Sequence, residues 1–502
     1  MMRKSILTLF LLLPLFVMAA EGVAFQRGCR RGFPRESTAR WGVLKAHDDC
    51  FHPSRMSGSR RQLVVLASFS DRPFSQEDPT ALWNRIFNEE SFSEPPYIGS
   101  VHDYFHDQSY GKLDLSFDLY YVNVGIASKY ESTARHDENS QFLVDDVLDS
   151  LLTYNIDWSL YDWDDDGTVE QLLIVYAGKG MNESGVEHCI WPHQWWLSEH
   201  LVKKGDNYTD EHREARSFTY REKEYTVDCY CALAELTSDG VTFGTICHEY
   251  SHCFGLPDFY NGSKSYVGSW ELMDSGNFNG KGACPASYSA HERMLMGWLT
   301  PVELTSDTVI SDMKALSDVP EAYIIRNSGH SDEYYIVENR QNNLWDAKLP
   351  NSGIIVFHIN FNESLWTSTK EYVNKSNRVN YGIIPANNTS SKYYEKGWAY
   401  PYNDNNELTS QSQPAATVME ENIDGSYLMG KYLTQMGVDN GLATFKFTNT
   451  QSATAINGVH KATYSNRMVD LMGRSINAPH AGTLYLERQS DGSVRKMLYK
   501  RN

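Results

Sequence analysis

The chain has 502 residues and a formal net charge of −19, from 64 acidic and 45 basic side chains. This length suffices for two or three domains with well-buried cores. The acidic balance argues against nucleic acid as a partner, and an aromatic content of 13% argues against a disordered chain.

The N-terminus is predicted to carry a secretory signal peptide over residues 1–20. A short basic start is followed by the almost wholly apolar Ser5–Met18 and the small pair Ala19-Ala20. The apolar run is shorter than the about 20 residues that a membrane anchor needs, so an integral membrane protein is not expected. Residues 21–60, rich in Arg, are interpreted as a short leader or propeptide.

Residues 61–300 are predicted to form an α/β (α+β) catalytic domain, because strand-like and helix-like patterns alternate there. The predicted elements are a strand at 62–69, a helix at 100–111, a strand at 112–124, a helix at 141–152 and a strand at 170–178.

The DWDDDG stretch indicates a calcium loop. Asp162, Asp164 and Asp166 place carboxylates at alternate positions before a glycine, as the start of such a loop does. The twelfth position is Leu173, where a full EF-hand has a bidentate glutamate, so either Glu170 or backbone carbonyls would complete the set. A solvated acidic turn is the alternative.

The motif HEYSHCFGLPD, residues 248–258, carries the chemistry. On a helix, His248 and His252 lie on one face and can direct a ring nitrogen at the same metal ion. Glu249 lies beside them, where it can take a proton from a zinc-activated water. A helix with two solvated histidines is the alternative, so the third ligand is decisive.

Two residues compete as the third ligand. Asp258 completes the pattern HExxHxxGxxD, whereas Glu271 follows His252 after 18 intervening residues, the spacing of gluzincins. Gly255 can adopt positive φ and turn the chain back under the metal, which favours Asp258. Glu271 would need a helix through a stretch that holds three glycines and a proline.

Met273, in SWELMDSG, is placed like the methionine of the Met-turn beneath a metzincin zinc. Ordinary core packing is the alternative role for this residue. Together, Gly255, Asp258 and Met273 predict a zinc site formed by His248, His252 and Asp258.

The pattern of apolar and polar residues changes after residue 300. Short strand-like runs separated by Asn, Gly and Ser predict an antiparallel β-sandwich over 301–450. Residues 451–502 form a β-rich end whose MVDLMGRSINAPHAGTLYLER resembles C-terminal sorting segments of exported Bacteroidetes proteins. A cell-surface or secretion-system association is therefore expected, with a plain terminal hairpin as the alternative.

GTICHEYSHCFGLPDFY, GSWELMDSGNFNG and PASYSAHERMLMGWLTP resemble the immune-inhibitor-A-like secreted bacterial metalloproteases. The similarity covers about residues 60–300. It implies a metzincin-like zinc endopeptidase with Asp as third ligand, so His248, His252 and Asp258 would bind zinc and Glu249 would be the general base. It also implies protein or peptide substrates, and secretion or display on the outer surface of a bacterium.

Two departures from the family pattern matter. The leader is short, so Cys29 or Cys50 is a candidate zinc ligand in the precursor, although a disulfide or plain leader cysteine is favoured. The tyrosine that some metzincins place after the Met-turn methionine is Ser275 here. Another donor or the zinc itself would then steady the oxyanion, and Tyr288 and His291 are candidates for that donor.

Two rival functions stay open at this point. One is a surface adhesion or glycan-binding protein with a vestigial zincin domain, although neither Glu249 nor a ligand is lost. The other is a gluzincin-type aminopeptidase that uses Glu271 as its third ligand.

Overall fold

The computed structural model describes residues 56–131, 139–181, 189–205, 207–368 and 371–450, and the backbone of 468–470, 475–476, 484–488 and 494–498. The predicted signal peptide, most of the leader with Cys29 and Cys50, and most of the C-terminal segment lie outside the described residues. Contacts divide the chain into one unit up to Thr448 and a second from Asn449.

The first unit contains twenty strands and six α-helices among its described residues. The strands before residue 300 are β1 (Gly58–Phe69), β2 (Leu113–Val124), β3 (Thr168–Val169), β4 (Leu172–Lys179), β5 (His193–Trp196), β6 (Leu201–Lys204), β7 (Asn207–His212), β8 (Arg216–Tyr220), β9 (Lys223–Val227) and β10 (Cys229–Leu236). The later strands are β11 (Val302–Glu303), β12 (Thr308–Met313), β13 (Tyr323–Arg326), β14 (Glu333–Arg340), β15 (Gly353–Asn360), β16 (Asn374–Lys375), β17 (Arg378–Val379), β18 (Tyr381–Ile383), β19 (Lys431–Asp439) and β20 (Leu442–Asn449). The helices are α1 (Pro79–Asn88), α2 (Val101–Gln108), α3 (Ser140–Leu151), α4 (Phe243–Cys253), α5 (Ala290–Leu295) and α6 (Glu363–Trp366).

A five-stranded sheet in the order β2-β1-β4-β10-β5 organises the part before residue 300. Its strands run parallel except β5, which pairs antiparallel with β10 at one edge. Residues 62–69 of β1 are all buried, as expected for a strand covered on both faces. Helix α4 packs beside β10 and β5, which places the HEYSH motif at this edge.

All five elements predicted before residue 180 are present. The first strand begins earlier than predicted, at Gly58, and the helix at 100–111 ends at Gln108. The mixed α/β class is therefore confirmed. Helix α1 and the strands β5 to β9 had not been predicted, because the patterns there are short or interrupted.

After residue 300, two sheets share one apolar cluster. One sheet has the order β11-β13-β14-β15-β18 and the other β12-β20-β19, with mostly antiparallel pairs. Strand β14 is buried on both faces: Tyr335 and Val337 face the cluster between the sheets, while Tyr334 and Ile336 join the core that also contains the α4 residues. The β-sandwich and the boundary near residue 300 stay predictions.

The second unit contains β21 (Met468–Asp470), β22 (Ser475–Ile476), β23 (Leu484–Arg488) and β24 (Val494–Leu498). They form an antiparallel sheet in the order β22-β21-β23-β24. The predicted β-rich character of this segment is confirmed for the described strands, and its sorting role stays a prediction. Within the described residues, every helix is too short or too polar to cross a bilayer.

Candidate active site

Helix α4 carries the two histidines of the motif and ends directly after them. Gly255 follows with φ +85°, and its amide donates to the carbonyl of His252 at 2.9 Å. A Cβ at this position would meet nothing within 4 Å, so the conformation rather than lack of space requires glycine. The predicted positive φ of Gly255 is confirmed.

The turn at Gly255 brings Asp258 back against both histidines. Its Oδ1 lies 3.2 Å from Nε2 of His248 and 3.4 Å from Nε2 of His252. All three side chains are buried. Two ring nitrogens and one carboxylate oxygen therefore face a common point, as the ligands of a single cation must.

The second nitrogen of each ring is held by a backbone carbonyl. Nδ1 of His248 lies 2.9 Å from the oxygen of Leu272, and Nδ1 of His252 lies 2.7 Å from that of Leu256. A carbonyl only accepts, so each Nδ1 carries the proton and each Nε2 presents its lone pair. This is the tautomer that a zinc ligand needs.

Glu249 is buried beside the two histidines, and one of its carboxylate oxygens comes within 4.8 Å of a ring nitrogen of each. Its Oε2 accepts a hydrogen bond of 3.0 Å from the amide of Gln194 in β5 and lies 3.9 Å from Nε2 of His252. The edge strand of the sheet thus fixes one oxygen of the carboxylate. Nothing in the local pattern around Gln194 indicated this role.

Met273 and Glu271 lie in a buried turn below the histidines. The carbonyl of Met273 accepts from the amide of Phe259 at 2.9 Å, which ties this turn to the segment that carries Asp258. Glu271 accepts from the amide of Met273 at 2.6 Å and makes a side-chain hydrogen bond with Glu292. The carboxyl of Glu271 is therefore directed away from the two histidines.

Burial changes the protonation of the Glu271–Glu292 pair. Burial, and then the neighbouring charge of Glu292, raise the pKa of Glu271 well above its usual value. Burial also raises the pKa of Glu292 to about 7. Two carboxyl groups in contact without solvent cannot both ionise cheaply, so the pair holds a proton at neutral pH.

A cavity of about 280 Å³ opens over His248 and Glu249. Its lining comes from five stretches of chain: Trp191, Pro192, Thr245, His248, Glu249, Tyr260, Gly262, Ser263, Ser265, Asp274, Ser275, Asn277, Phe278 and Lys392.

Tyr260 also lines this cavity, and the motifs of the sequence did not indicate it. Its ring stacks near that of His248, with centroids 6.3 Å apart and planes at 25°. In the sequence, the feature that could have indicated Tyr260 is its position two residues after Asp258.

The prediction of Tyr288 or His291 as the oxyanion donor is wrong. Both are buried and neither lines the cavity. The hydroxyl of Tyr288 bonds to Ser251, and Nδ1 of His291 lies 3.1 Å from the hydroxyl of Tyr334. Both therefore serve the core beneath the site.

The DWDDDG stretch forms a tight loop. Asp162, Asp164 and Asp166 each bring a carboxylate oxygen within 4.8 Å of the others. Asp162 also accepts from the amide of Asp166 at 3.0 Å and pairs with Nζ of Lys223 at 2.7 Å. Calcium there stays a prediction.

Glu170, predicted as a further calcium ligand, points elsewhere. Both of its carboxylate oxygens lie 2.8 Å from the amide of Trp163. The carboxylate thus closes the loop from within, and it is not part of the group formed by Asp162, Asp164 and Asp166.

Part of the chain is similar to known proteins. Residues 62–298 match the family described as immune inhibitor A peptidase M6, catalytic domain. Immune inhibitor A of Bacillus thuringiensis subsp. alesti is 25% identical over 276 residues, which cover 46% of this chain and 38% of that protein. Pre-pro-metalloprotease PrtV of Vibrio cholerae serotype O1 is 26% identical over 278 residues, which cover 47% of this chain and 29% of that protein. The matched region therefore spans well under half the length of these relatives.

Proposed function

We propose that the chain, whose residues 62–298 match the immune inhibitor A peptidase M6 family, is a secreted zinc-dependent endopeptidase with Glu249 as general base. The family supports a metallopeptidase that acts on proteins. The observation that carries the finer proposal is the convergence of His248, His252 and Asp258 on one point, with Glu249 beside them.

The donor set suits zinc. Two neutral imidazoles and one carboxylate leave a fourth position open, as catalytic zinc sites do. Bound there, zinc would polarise the scissile carbonyl and lower the pKa of a water molecule.

The protein's own groups then move the proton. The amide of Gln194 holds Oε2 of Glu249, so the carboxylate keeps one orientation at the cavity wall. Glu249 takes the proton of the attacking water and passes it to the nitrogen of the leaving amine. We assign Tyr260 as the hydroxyl donor to the carbonyl oxygen, because it lines the cavity beside His248.

The cavity favours an endopeptidase over an aminopeptidase. An aminopeptidase needs a carboxylate to hold the α-ammonium group of its substrate. Among the described lining residues the carboxylates are Glu249 and Asp274. Oδ2 of Asp274 accepts from the amides of Tyr266 at 2.8 Å and Val267 at 2.9 Å, which supports a structural role.

We also propose a metzincin-like catalytic domain with a β-sandwich behind it, export directed by residues 1–20, and calcium at the loop of Asp162, Asp164 and Asp166. The Met273 turn below the histidines supports the first of these. The composition of the N-terminal residues supports the second, and the close carboxylates support the third.

The test is cleavage of unfolded casein and of peptides blocked at both ends. The protein without residues 1–20 is compared with Glu249→Gln, with chelator-treated protein and with protein given zinc again. Activity that chelation removes, zinc restores and the variant lacks would establish the proposal. A folded, zinc-loaded protein that stays silent after trimming of residues 21–55 would favour the adhesion or glycan-binding alternative.

A further inference from the structure

We propose that Lys392 forms a subsite for an acidic side chain, so that the enzyme prefers substrates with Glu or Asp near the scissile bond. This inference rests on the proposed endopeptidase function and names the substrate class that the site selects. Lys392 lines the same cavity as His248 and Glu249, although it lies far from them in the sequence.

Backbone hydrogen bonds join the two ends of the segment that carries Lys392. Lys392–Gly397 forms a 3₁₀ turn, and the amide of Asn387 donates to the carbonyl of Gly397 at 2.8 Å. The amide of Ala386 donates to the carbonyl of Trp398 at 3.0 Å. These bonds fix the base of the loop, so the position of Lys392 depends on a folded turn and not on a loose strand.

The same segment is anchored to the catalytic part of the chain. Glu395 is only 8% exposed, and its Oε2 accepts from the amide of Ser269 at 3.1 Å. A Cβ at Gly268, which has φ +61°, would lie 2.3 Å from Oε1 of Glu395. The turn before Met273 thus holds Glu395 tightly, and the wall of the cavity at Lys392 is set by this contact.

The charge of Lys392 is available to a substrate. Among the described lining residues it is the only Lys or Arg. The carboxylate of Asp274 is taken up by the amides of Tyr266 and Val267, and one oxygen of Glu249 by the amide of Gln194. Glu395, on the same turn, is bonded to Ser269. The charge of Lys392 acts on Glu395, where it opposes the rise in pKa that burial causes, and a substrate carboxylate in the cavity would be a second partner for the ammonium group.

The wall also has an apolar part. Phe278 lines the cavity with 55% of its surface exposed. An exposed aromatic ring and a cation in one small cavity suit a side chain with a methylene stem and an anionic end. The chain as a whole carries −19, so a preference for acidic peptides would have to come from such a local contact.

The experiment uses blocked, quenched fluorescent peptides that differ only in carrying Glu, Gln or Lys at one position, scanned over four residues on each side of the scissile bond. The zinc-loaded protein is compared with Lys392→Gln and Lys392→Glu. The matched control is Lys396→Glu, which reverses an exposed lysine on the same turn that does not line the cavity.

At one position the wild type is expected to show a kcat/KM for the Glu peptide about threefold or more above that for the Gln peptide. Lys392→Gln should abolish this ratio. Lys392→Glu should favour the Lys peptide, a swing on the order of tenfold, and Lys396→Glu should keep the wild-type preference.

A binding readout separates this inference from the proposed function. Anisotropy of the same peptide sequences, carrying one fluorophore and no quencher, is measured on Glu249→Gln and on Glu249→Gln with Lys392→Glu. If the wild type cleaves nothing, the proposed function fails, and the binding preference still decides the subsite. Equal effects of Lys392→Glu on all peptides, or an unchanged preference, would overturn the inference.

Discussion

Asp258 reaches the two histidines through one oxygen, Oδ1, at 3.2 Å and 3.4 Å. At this scale the two candidate third ligands separate clearly. Asp258 lies among the ring nitrogens, whereas Glu271 is bonded to the amide of Met273 and to Glu292. The difference predicts opposite effects of removing the two carboxylates.

Asp258→Ala is expected to lower zinc affinity by more than about 100-fold, because it removes a direct ligand. Glu271→Gln should retain zinc, since the amide can still accept from Met273. Metal content after dialysis against a weak chelator measures both. A Glu271→Gln protein that loses zinc while Asp258→Ala keeps it would reverse the ligand assignment.

Tyr260→Phe is expected to lower kcat by about 100-fold with little change in KM, because a donor to the developing oxyanion acts in the transition state. Steady-state kinetics on a blocked peptide measures this split. Tyr393→Phe, at a tyrosine that is 85% exposed, is the control. A raised KM at unchanged kcat would make Tyr260 a substrate-binding residue instead.

At the scale of elements, the site depends on how helix α4 ends and on which strand lies beside it. Gly255 turns the chain from the helix to Asp258, and β5 delivers the amide that holds Glu249. Neither contribution is catalytic by itself. Both determine whether the proposed catalytic side chains meet.

Gly255→Ala is expected to destabilise the protein by roughly 1–2 kcal/mol, because a Cβ disfavours the left-handed conformation. The same strain displaces Asp258, so zinc affinity should fall too. Urea unfolding and zinc titration measure the two effects. Gly437→Ala is the control, since a Cβ there makes only an ordinary contact of 3.5 Å with Thr444. Similar zinc affinity in Gly255→Ala and Gly437→Ala would contradict the prediction that the turn at Gly255 positions Asp258 for zinc binding.

At the scale of the whole molecule, the part of the chain before residue 300 and the part from 301 to 448 contribute residues to one apolar core and to one cavity. Strand β14 contributes to both apolar clusters, and the turn at Lys392–Gly397 reaches the cavity over His248. The Glu271–Glu292 pair joins the Met273 turn to α5 within this shared core. Its protonation therefore bears on global stability.

Stability is expected to fall as pH rises from about 4.5 through about 7. The pKa of Glu292 is raised from 4.5 to about 7 in the folded protein. The stabilisation that this shift contributes is therefore complete below pH 4.5 and is lost as the pH rises through about 7, where folded Glu292 gives up its proton. The loss is on the order of 3 kcal/mol. Glu292→Gln should flatten the profile, measured by urea unfolding of metal-free protein between pH 5 and 8. Equal slopes in both proteins would contradict this assignment.

The amino-acid sequence alone determined the features that depend on neighbours along the chain. The spacing of His248 and His252 predicted a helical pair, the glycine at 255 predicted a left-handed turn, and the apolar run at 62–69 predicted a buried strand. Each follows from backbone geometry over a few residues, which leaves little freedom to the rest of the fold.

Only the tertiary structure decided the contacts between distant segments. The bond from Gln194 to Glu249, the burial of Tyr288 and His291, and the arrival of Lys392 at the cavity all depend on how sheets and turns pack. Glu170 is an example within one loop: its spacing suggested a calcium ligand, but its carboxylate accepts a hydrogen bond from the amide of Trp163. A side chain's direction is set by the atoms that surround it in space, and the local pattern does not contain them.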